Sequence, residues 1–346
     1  MKFWMLAAGA LLLGLSVHGQ EKPKAFYTPE DVRIFEDYCE KFRDRRDLPM
    51  NELVAETGKY FLGRPYVNYT LEAKDPEELI VNLRELDCVT FVETAVALAR
   101  TLKADSATFD LYCDNLRLLR YRDGELKNFT SRLHYFSDWI ADNEALGLVE
   151  DRTKELGGSP YPIRACLMSK YPKNYPQLVK YPQYIPVMAA IEDSMSRRRM
   201  YSVSRDSMAR LDEPLRDGYI IGTTTPGQMD VTHVGFVYHV DGKPHFMHAS
   251  SKQKEVVITE GTLEDYLKSI RSMTGFMAVR VLDPTESDRA GDAVADAGAD
   301  RKPAAGAGSE SIAGTGSVSN RDSDSDREED SSAEAGSDSG RSLAGK

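Results

Sequence analysis

The amino-acid sequence predicts an α+β fold, in which helices from the first half of the chain pack on an antiparallel sheet from the second. Apolar residues of the first half recur at helical intervals of three and four, whereas the second half alternates between apolar and polar residues. The pair Asp241-Gly242 joins two of the alternating runs, as in a hairpin. Because helices and strands are segregated along the chain, an antiparallel sheet is favoured over a parallel one.

The predicted helices are bounded by residues that commonly begin or end helices. The first covers residues 27–42, with Thr28 as its N-cap and Pro29 at its first position. The second covers residues 51–61 and stops before Gly63. Further helices are predicted over residues 88–102, 109–120, 137–143 and 185–200. Three Tyr-Pro pairs within residues 169–186 predict extended or turn structure, since proline disfavours helix at the preceding residue.

The predicted strands bring two histidines together. They cover residues 218–223, 231–240, 245–249, 254–259 and 277–282. In the simplest hairpin register Val240 faces Lys243, so that His248 faces Gly235. His233 shares a face with Gly235, and the two imidazoles are therefore diagonal neighbours. A slip of one residue would send them to opposite faces.

The two ends of the chain differ from its middle. Residues 1–19 have a positive start, an apolar run and a small-residue cleavage site, which predicts an export signal. The run is shorter than the roughly 20 residues that cross a bilayer, so we expect no stable membrane insertion after cleavage. Residues 284–346 contain 14 acidic, 7 basic and no aromatic residues, which predicts a disordered acidic tail. Residues 24–283 are expected to form one domain outside the cytoplasm, in the periplasm.

Composition excludes several classes of function. The chain carries a net charge of −11, most of it in the tail, and the domain has no basic patch for nucleic acid. No C-x-x-C motif is present, which argues against a structural zinc site. The irregular spacing of Cys39, Cys88, Cys113 and Cys166 is not typical of a disulfide scaffold. With Cys88 unpaired, at most one disulfide can form, and we expect Cys113 and Cys166 to be buried.

Cys88 stands where a loop gives way to a strongly periodic helix. A thiol in the first turn of a helix feels the positive end of the helix dipole and the unpaired N–H groups there. This environment favours the thiolate and predicts a lowered pKa. Cys88 is therefore a candidate nucleophile, although a buried core cysteine is the alternative that the residue type alone favours.

The two hairpin histidines complete a candidate relay. A nucleophilic thiol needs a nearby base, and the base needs a third polar group to fix its tautomer, roles that His233 and His248 can fill. His239 lies about 20 Å farther along the strand, and His245 faces the other side. The alternatives are two ordinary surface or core histidines, or a metal pair with Asp230 as a third ligand.

Three motifs resemble those of the NlpC/P60 superfamily of cell-wall cysteine peptidases and amidases. They are residues 86–88 at the helix start, 232–237 on one strand and 246–251 on the next. Further segments resemble the N-acetylmuramoyl-L-alanine amidase-like branch of that superfamily, namely residues 63–67, 81–88, 131–136 and 229–233. Where the superfamily usually has Ser-Gly after the cysteine, this chain has Val89-Thr90, which fits the branch better.

The resemblance implies a papain-like core and peptidoglycan fragments as the partners bound. Members of this branch cut the amide between N-acetylmuramic acid and L-alanine, including in 1,6-anhydro fragments. By resemblance Tyr66 adds its hydroxyl to the oxyanion hole. Arg132 is a candidate partner for a stem-peptide carboxylate and Tyr135 for stacking on a sugar, with a surface ion pair and a core aromatic as the respective alternatives.

Two rival functions remain open from the sequence. One is a γ-D-glutamyl–diamino acid endopeptidase on the same scaffold, and the other is a non-catalytic glycan-binding protein. The amidase mechanism with Cys88, His233 and His248 needs no cofactor and no metal. The sequence gives neither the stem-peptide length, the need for an anhydro sugar, nor the oligomeric state.

Overall fold

An antiparallel sheet organises the computed structural model, which describes residues 25–211, 214–227, 230–285 and 288. The strands in these residues are β1 (Ala25–Phe26), β2 (Leu79–Ile80), β3 (Val149–Asp151), β4 (Ser159–Tyr161), β5 (Met200–Ser204), β6 (Ile220–Thr224), β7 (Val231–Val240), β8 (Lys243–Ser250), β9 (Glu255–Thr262) and β10 (Gly275–Val281). Strands β4-β5-β10-β6-β7-β8-β9 lie side by side in that order, and β3 also pairs with β10. Strands β1 and β2 form a separate short parallel pair.

The helices of the described residues lie mostly before this sheet in the chain. They are α1 (Pro29–Phe42), α2 (Met50–Tyr60), α3 (Cys88–Leu102), α4 (Phe109–Arg120), α5 (Phe136–Ala145), α6 (Leu167–Lys170), α7 (Pro176–Lys180), α8 (Tyr184–Ser196) and α9 (Leu263–Ser269). Helix α3 is enclosed by α2, α4 and strand β7. The α+β class predicted from the sequence is confirmed.

Helix α3 can lie at the centre of the domain because many of its side chains are small and apolar. Its surface carries Ala95, Ala97 and Ala99, all fully buried, so neighbouring elements approach it closely. The ring of Phe91 meets that of Phe236 on β7 edge to face, with centroids 5.3 Å apart. These contacts fix the helix on the sheet, and its first turn is fixed with it.

The start of α3 is held by polar contacts as well. The Asp87 carboxylate accepts the Thr90 N–H at 2.8 Å, and the Thr90 hydroxyl oxygen accepts the Asp87 N–H at 2.8 Å. This reciprocal capping box satisfies donors that the first turn leaves open. One turn on, buried Glu93 pairs with Arg120 of α4 at 2.6 Å, and Arg120 also donates to the Ile80 carbonyl. Cys88 is thereby placed by rigid elements on both sides.

The predicted element bounds are confirmed for α3, α4 and β7, and are within a few residues elsewhere. The prediction of extended or turn structure over residues 169–186 is wrong, because this segment contains the end of α6, all of α7 and the beginning of α8. Pro176 occupies the first position of α7 and Tyr175 before it is extended, which is where proline favours a helix. Strands β1 to β5 and helices α6, α7 and α9 were not predicted.

The predicted export signal, residues 1–19, lies outside the described residues. The predicted tail, residues 284–346, also lies outside them, apart from residues 284, 285 and 288. Among the described residues, every helix is too short or too polar to traverse a bilayer.

Candidate active site

Cys88 is the first residue of α3 and lies against β7. Its sulfur is not part of a disulfide. The backbone N–H groups of Val234, Val89 and Cys88 itself act on the thiol. Val234 follows His233 on β7, so the sulfur lies against the strand that carries the first predicted histidine. The structure thus joins the helix start to the hairpin, which lies more than 140 residues later in the chain.

The hairpin has the predicted register. Val240 pairs with Lys243 and Phe236 with Met247. The turn residues Asp241 and Gly242 have φ of 50° and 75°, the conformation of a tight two-residue hairpin turn. The prediction of which side chains share a face is therefore confirmed.

His233 and His248 are in direct contact. Nε2 of His233 lies 2.6 Å from Nδ1 of His248, and the rings are nearly perpendicular at 87°. Gly235 permits this approach, because a Cβ there would lie 2.5 Å from the Met247 carbonyl oxygen and 2.8 Å from the Cβ of His248. The contact occupies one nitrogen of each ring, and within the described part of the chain Nδ1 of His233 has no hydrogen-bond partner.

The predicted lowering of the Cys88 pKa is wrong. Burial raises the pKa of the thiol to about 12, and the charge of Asp87 acts in the same direction. The N–H groups at the helix start do lower the pKa, as expected, but they are outweighed by the loss of water around the thiolate. The resting side chain is a neutral thiol, and a base must take its proton during attack.

The histidines are in the neutral form that a base requires, and burial at the same time weakens them as proton acceptors. Burial lowers the pKa of His233 to about 4 and that of His248 to about 3. Both rings are therefore neutral near pH 7 and can accept a proton. When Nδ1 of His233 takes the thiol proton, its Nε2–H can donate to Nδ1 of His248 and hold the ring in orientation.

Tyr266 is a site residue that the sequence reasoning missed. Its ring lies 5.1 Å from that of His248, 4.8 Å from that of Phe246 and 6.3 Å from that of His233, measured between centroids. Burial, followed by the charge of Cys88, raises the pKa of Tyr266 to about 12. The capping box of Thr262 and Asp265 is a signal for helix α9 in the sequence, but it does not reveal where the helix packs.

Tyr66 also lies near the thiol. Burial, then the charges of Cys88 and Asp87, raises its pKa to about 12. Its hydroxyl donates to Oδ1 of Asn68 at 2.6 Å. Tyr66 is therefore at the site, as the resemblance implied, but its proton is already engaged.

Arg132 and Tyr135 do not have the substrate-binding roles predicted for them. Arg132 is only 7% exposed and is neither free nor at the surface, since its guanidinium donates to Glu77 and Glu72 at 2.8 to 2.9 Å. The hydroxyl of buried Tyr135 donates to Glu192 at 2.6 Å, so its ring belongs to the core. Both predicted substrate contacts are corrected, because the side chains already have buried partners.

The remaining histidines and cysteines have other surroundings. His239 bonds to Asp217 at 2.6 Å, and His245 to the Thr259 carbonyl at 2.8 Å. Asp230 accepts the Ser137 N–H at the start of α5 through Oδ2. Among the described residues no group of three His, Cys, Asp or Glu side chains could hold a metal.

Cysteines 39, 88, 113 and 166 form no disulfide. Cys113 is buried as predicted, whereas Cys166 is partly exposed.

Comparison with known proteins gives consistent results. The AmiA-like family, described as N-acetylmuramoyl-L-alanine amidase-like, matches residues 56–275. The structure is similar to that of an N-acetylmuramoyl-L-alanine amidase from Bacteroides uniformis, with a TM-score of 0.64 and 33% identity over 68% of this chain and 99% of that one. No curated protein sequence matches.

Two further solved structures are similar. A protein from Bacteroides fragilis that is named as a candidate xylanase has a TM-score of 0.62 and 35% identity, over 65% of this chain and all of that one. A protein from Legionella pneumophila has a TM-score of 0.55 over 73% of this chain and 96% of that one. At 18% identity the latter likeness concerns the fold alone.

Proposed function

The chain belongs to the N-acetylmuramoyl-L-alanine amidase-like family, and we propose that it is a cysteine hydrolase of peptidoglycan fragments. It cleaves the amide between N-acetylmuramic acid and L-alanine, including in 1,6-anhydro muropeptides. The observation that carries the proposal is the convergence of Cys88, at the start of α3, with the His233–His248 pair on β7 and β8. A neutral thiol beside two neutral imidazoles is a competent arrangement for acyl transfer.

The first chemical step forms a thioester. His233 takes the thiol proton at Nδ1 while the sulfur attacks the lactyl carbonyl carbon of the substrate. The tetrahedral intermediate collapses when His233 returns the proton to the amide nitrogen, which leaves as the amine of L-alanine. The acyl group of the muramic acid then remains on Cys88.

The second step regenerates the enzyme. His233 removes a proton from water, and the resulting hydroxide attacks the thioester carbonyl. Cys88 leaves as a thiolate and regains a proton from His233, and the sugar is released with a free carboxyl group. His248 keeps the His233 ring in position through both steps.

Two kinds of donor are available for the oxyanion. The backbone N–H groups of Cys88 and Val89 point at the sulfur from the helix start. We assign a further donor role to the Tyr266 hydroxyl, because it lies close enough to Cys88 for the charge of the thiolate to raise its pKa. Tyr66 is the less suitable donor while its proton is held by Asn68.

The geometry also supports a finer classification. A helix bearing the cysteine, packed on antiparallel strands bearing both histidines, is the arrangement expected of a papain-like core. We therefore propose that the chain is an NlpC/P60 member, with its domain at residues 24–283. We further propose export to the periplasm by residues 1–19, since peptidoglycan lies outside the cytoplasm.

The rival functions require other features. A xylanase needs two carboxyl groups on either side of the glycosidic bond, which is a different set of groups from the thiol and imidazoles of this site. An endopeptidase would use the same three residues, so only the products separate it from an amidase. A purely glycan-binding protein would not need the aligned thiol and imidazoles.

The test is digestion of purified muropeptides, followed by mass spectrometry. The wild-type chain should release N-acetylmuramic acid from an intact stem peptide, and Cys88→Ala should release none. Cys166→Ala is the matched control, since this partly exposed cysteine lies outside the site, and it should retain full activity. A dipeptide left on the sugar would establish the endopeptidase instead, and turnover by Cys88→Ala would refute the nucleophile.

A further inference from the structure

Residues 156–191 differ in charge from the rest of the chain. This stretch of 36 residues contains no acidic residue, although 55 of the 346 residues in the whole chain are acidic. It does contain five tyrosines and four basic residues, Arg164, Lys170, Lys173 and Lys180. In a chain with a net charge of −11, this composition indicates a surface suited to a negatively charged partner.

Residues 167–188 of this stretch, which we call the basic layer, cover one side of the domain. Helices α6, α7 and α8 each place a side chain in the same core, namely Met168, Leu178 and Met188. Tyr171, Val179 and Val187 lie close to these core residues in the chain but are 41%, 59% and 43% exposed. They are three of the eight large hydrophobic side chains that the described residues expose. Such clustering of exposed apolar groups is typical of an interaction surface.

The charge beside these apolar side chains is positive. Nζ of Lys170 lies 5.4 Å from the centre of the Tyr171 ring, and Lys173 is exposed two residues farther on. Neither lysine has an ion-pair partner within the described part of the chain. The basic layer therefore combines exposed apolar groups with free cations.

The acidic side chains next to the basic layer do not cancel this charge. Glu192 is buried and accepts the hydroxyl proton of Tyr135. The others are already paired with cations: Asp75 with Lys180, Asp193 with Arg197, and Glu72 with Arg132. The charges of Lys170 and Lys173 thus remain for a partner outside the chain.

We propose that the basic layer is a docking surface for a membrane that contains anionic phospholipids. The lysines bind the lipid phosphates, while the apolar side chains enter the boundary between headgroups and acyl chains. Tyrosine is enriched at that boundary because its ring is apolar and its hydroxyl is polar. The contact is peripheral, with no segment inserted across the bilayer.

The composition of the basic layer favours lipid over the acidic tail as its occupant. Residues 284–346 could neutralise the lysines, but they contain no aromatic residue and few large aliphatic ones. They would leave Tyr171, Val179 and Val187 exposed to water. An anionic bilayer matches both the charge and the apolar groups.

The experiment measures sedimentation of the full chain with lipid vesicles. The wild-type chain should bind vesicles of mixed phosphatidylglycerol and phosphatidylcholine, but not phosphatidylcholine alone, and the binding should weaken as salt is added. The double variant Lys170→Gln/Lys173→Gln should lower the partition coefficient by about 10- to 30-fold, since each lysine near such a surface contributes about fivefold. Val179→Ser/Val187→Ser should lower it by about five- to tenfold, because less apolar area enters the bilayer.

Matched controls change the same kinds of side chain elsewhere on the surface. Lys243→Gln/Lys252→Gln alters the net charge equally, and Leu62→Ser/Val240→Ser removes exposed aliphatic groups outside the basic layer. Both controls should bind vesicles as the wild-type chain does. Cys88→Ala should also bind normally, so failure of the amidase proposal would leave this test intact.

Several outcomes would overturn the docking surface. These are no binding of the wild-type chain to anionic vesicles, equal binding to neutral ones, or losses in the controls as large as those in the basic layer. Unchanged binding in either double variant of the basic layer would also overturn it. If the wild-type chain ignores vesicles but is a dimer by size-exclusion chromatography, and Val179→Ser/Val187→Ser is a monomer, the surface joins two copies of the chain instead.

Discussion

Strand β7 carries two histidine pairs, and the difference between them shows what creates a catalytic site. His233 contacts His248 at 2.6 Å, and six residues on, His239 contacts Asp217 at the same distance. Judged by its residue types alone, the second pair is the better relay, since a carboxylate is the group that orients the histidine in the Ser-His-Asp triad. Both of its side chains also line a cleft of about 640 Å³.

The third partner and the surroundings distinguish the two pairs. Cys88 adjoins the first pair, whereas no cysteine, serine, threonine or lysine lines the cleft at the second pair among the described residues. The first pair is largely buried, while the side chains of His239 and Asp217 are 30% and 35% exposed. A polar pair becomes an active site only when a nucleophile and exclusion of water are added.

The largest expected effect comes from removing one histidine of each pair. His233→Ala should lower kcat by about 100- to 10,000-fold, because it removes the proposed acid and base. His239→Ala should leave kcat unchanged, because no reacting group adjoins it. Steady-state hydrolysis of a muropeptide measures both, with circular dichroism to check folding. Comparable losses in the two variants would remove the distinction drawn between the pairs.

A smaller effect should separate the two tyrosines beside Cys88. Tyr266→Phe keeps the ring that packs on His248 but removes the hydroxyl, and kcat should fall by about 100-fold with KM little changed. Tyr66→Phe removes a hydroxyl that is already bonded to Asn68 and should have less effect on kcat. The reverse ranking, from the same kinetic assay, would transfer the oxyanion role to Tyr66.

The smallest expected effect concerns stability in acid. Burial lowers the pKa of His233 from its usual value near 6.5 to about 4, so the unfolded chain binds more protons in that interval. Stability should therefore fall as the pH drops from 6.5 towards 4. At pH 5 the loss due to this residue is about 1 to 2 kcal/mol relative to pH 7.

Urea unfolding at pH 7 and pH 5 measures this loss. His233→Gln has no imidazole to protonate at this position, so it should lose less stability than the wild-type chain. His239→Gln should lose as much as the wild type, because the buried ring is intact. An unchanged acid loss in His233→Gln would show that the buried ring is not its source.

The parts of the fold that were predictable have local physical causes. Helix α3 was predicted residue for residue because its apolar periodicity is a pattern of residues close together in the chain. The register of β7 and β8 followed from a two-residue turn and strand alternation, and it brought His233 and His248 together correctly. Strands β3 and β4 were missed because each has three residues, too few to show a period.

The errors at the site have a common cause. The pKa of Cys88 was predicted from its position at the helix start, but its sign depends on how much water surrounds the sulfur. Arg132 and Tyr135 were treated as substrate contacts, although Glu77 and Glu192, distant in the chain, already bond to them. Tyr266 was missed because it reaches the site from a short helix after the last histidine.

The sequence by itself determined the α+β class, the helix that begins at Cys88, and the hairpin that aligns two imidazoles. Each of these depends on interactions between residues close in the chain, or on a register set by one turn. Only the tertiary structure decided that the sulfur lies against β7, that burial keeps the thiol protonated, and that Tyr266 covers the histidines. Those features depend on desolvation and on packing between distant segments, which no local pattern of residues encodes.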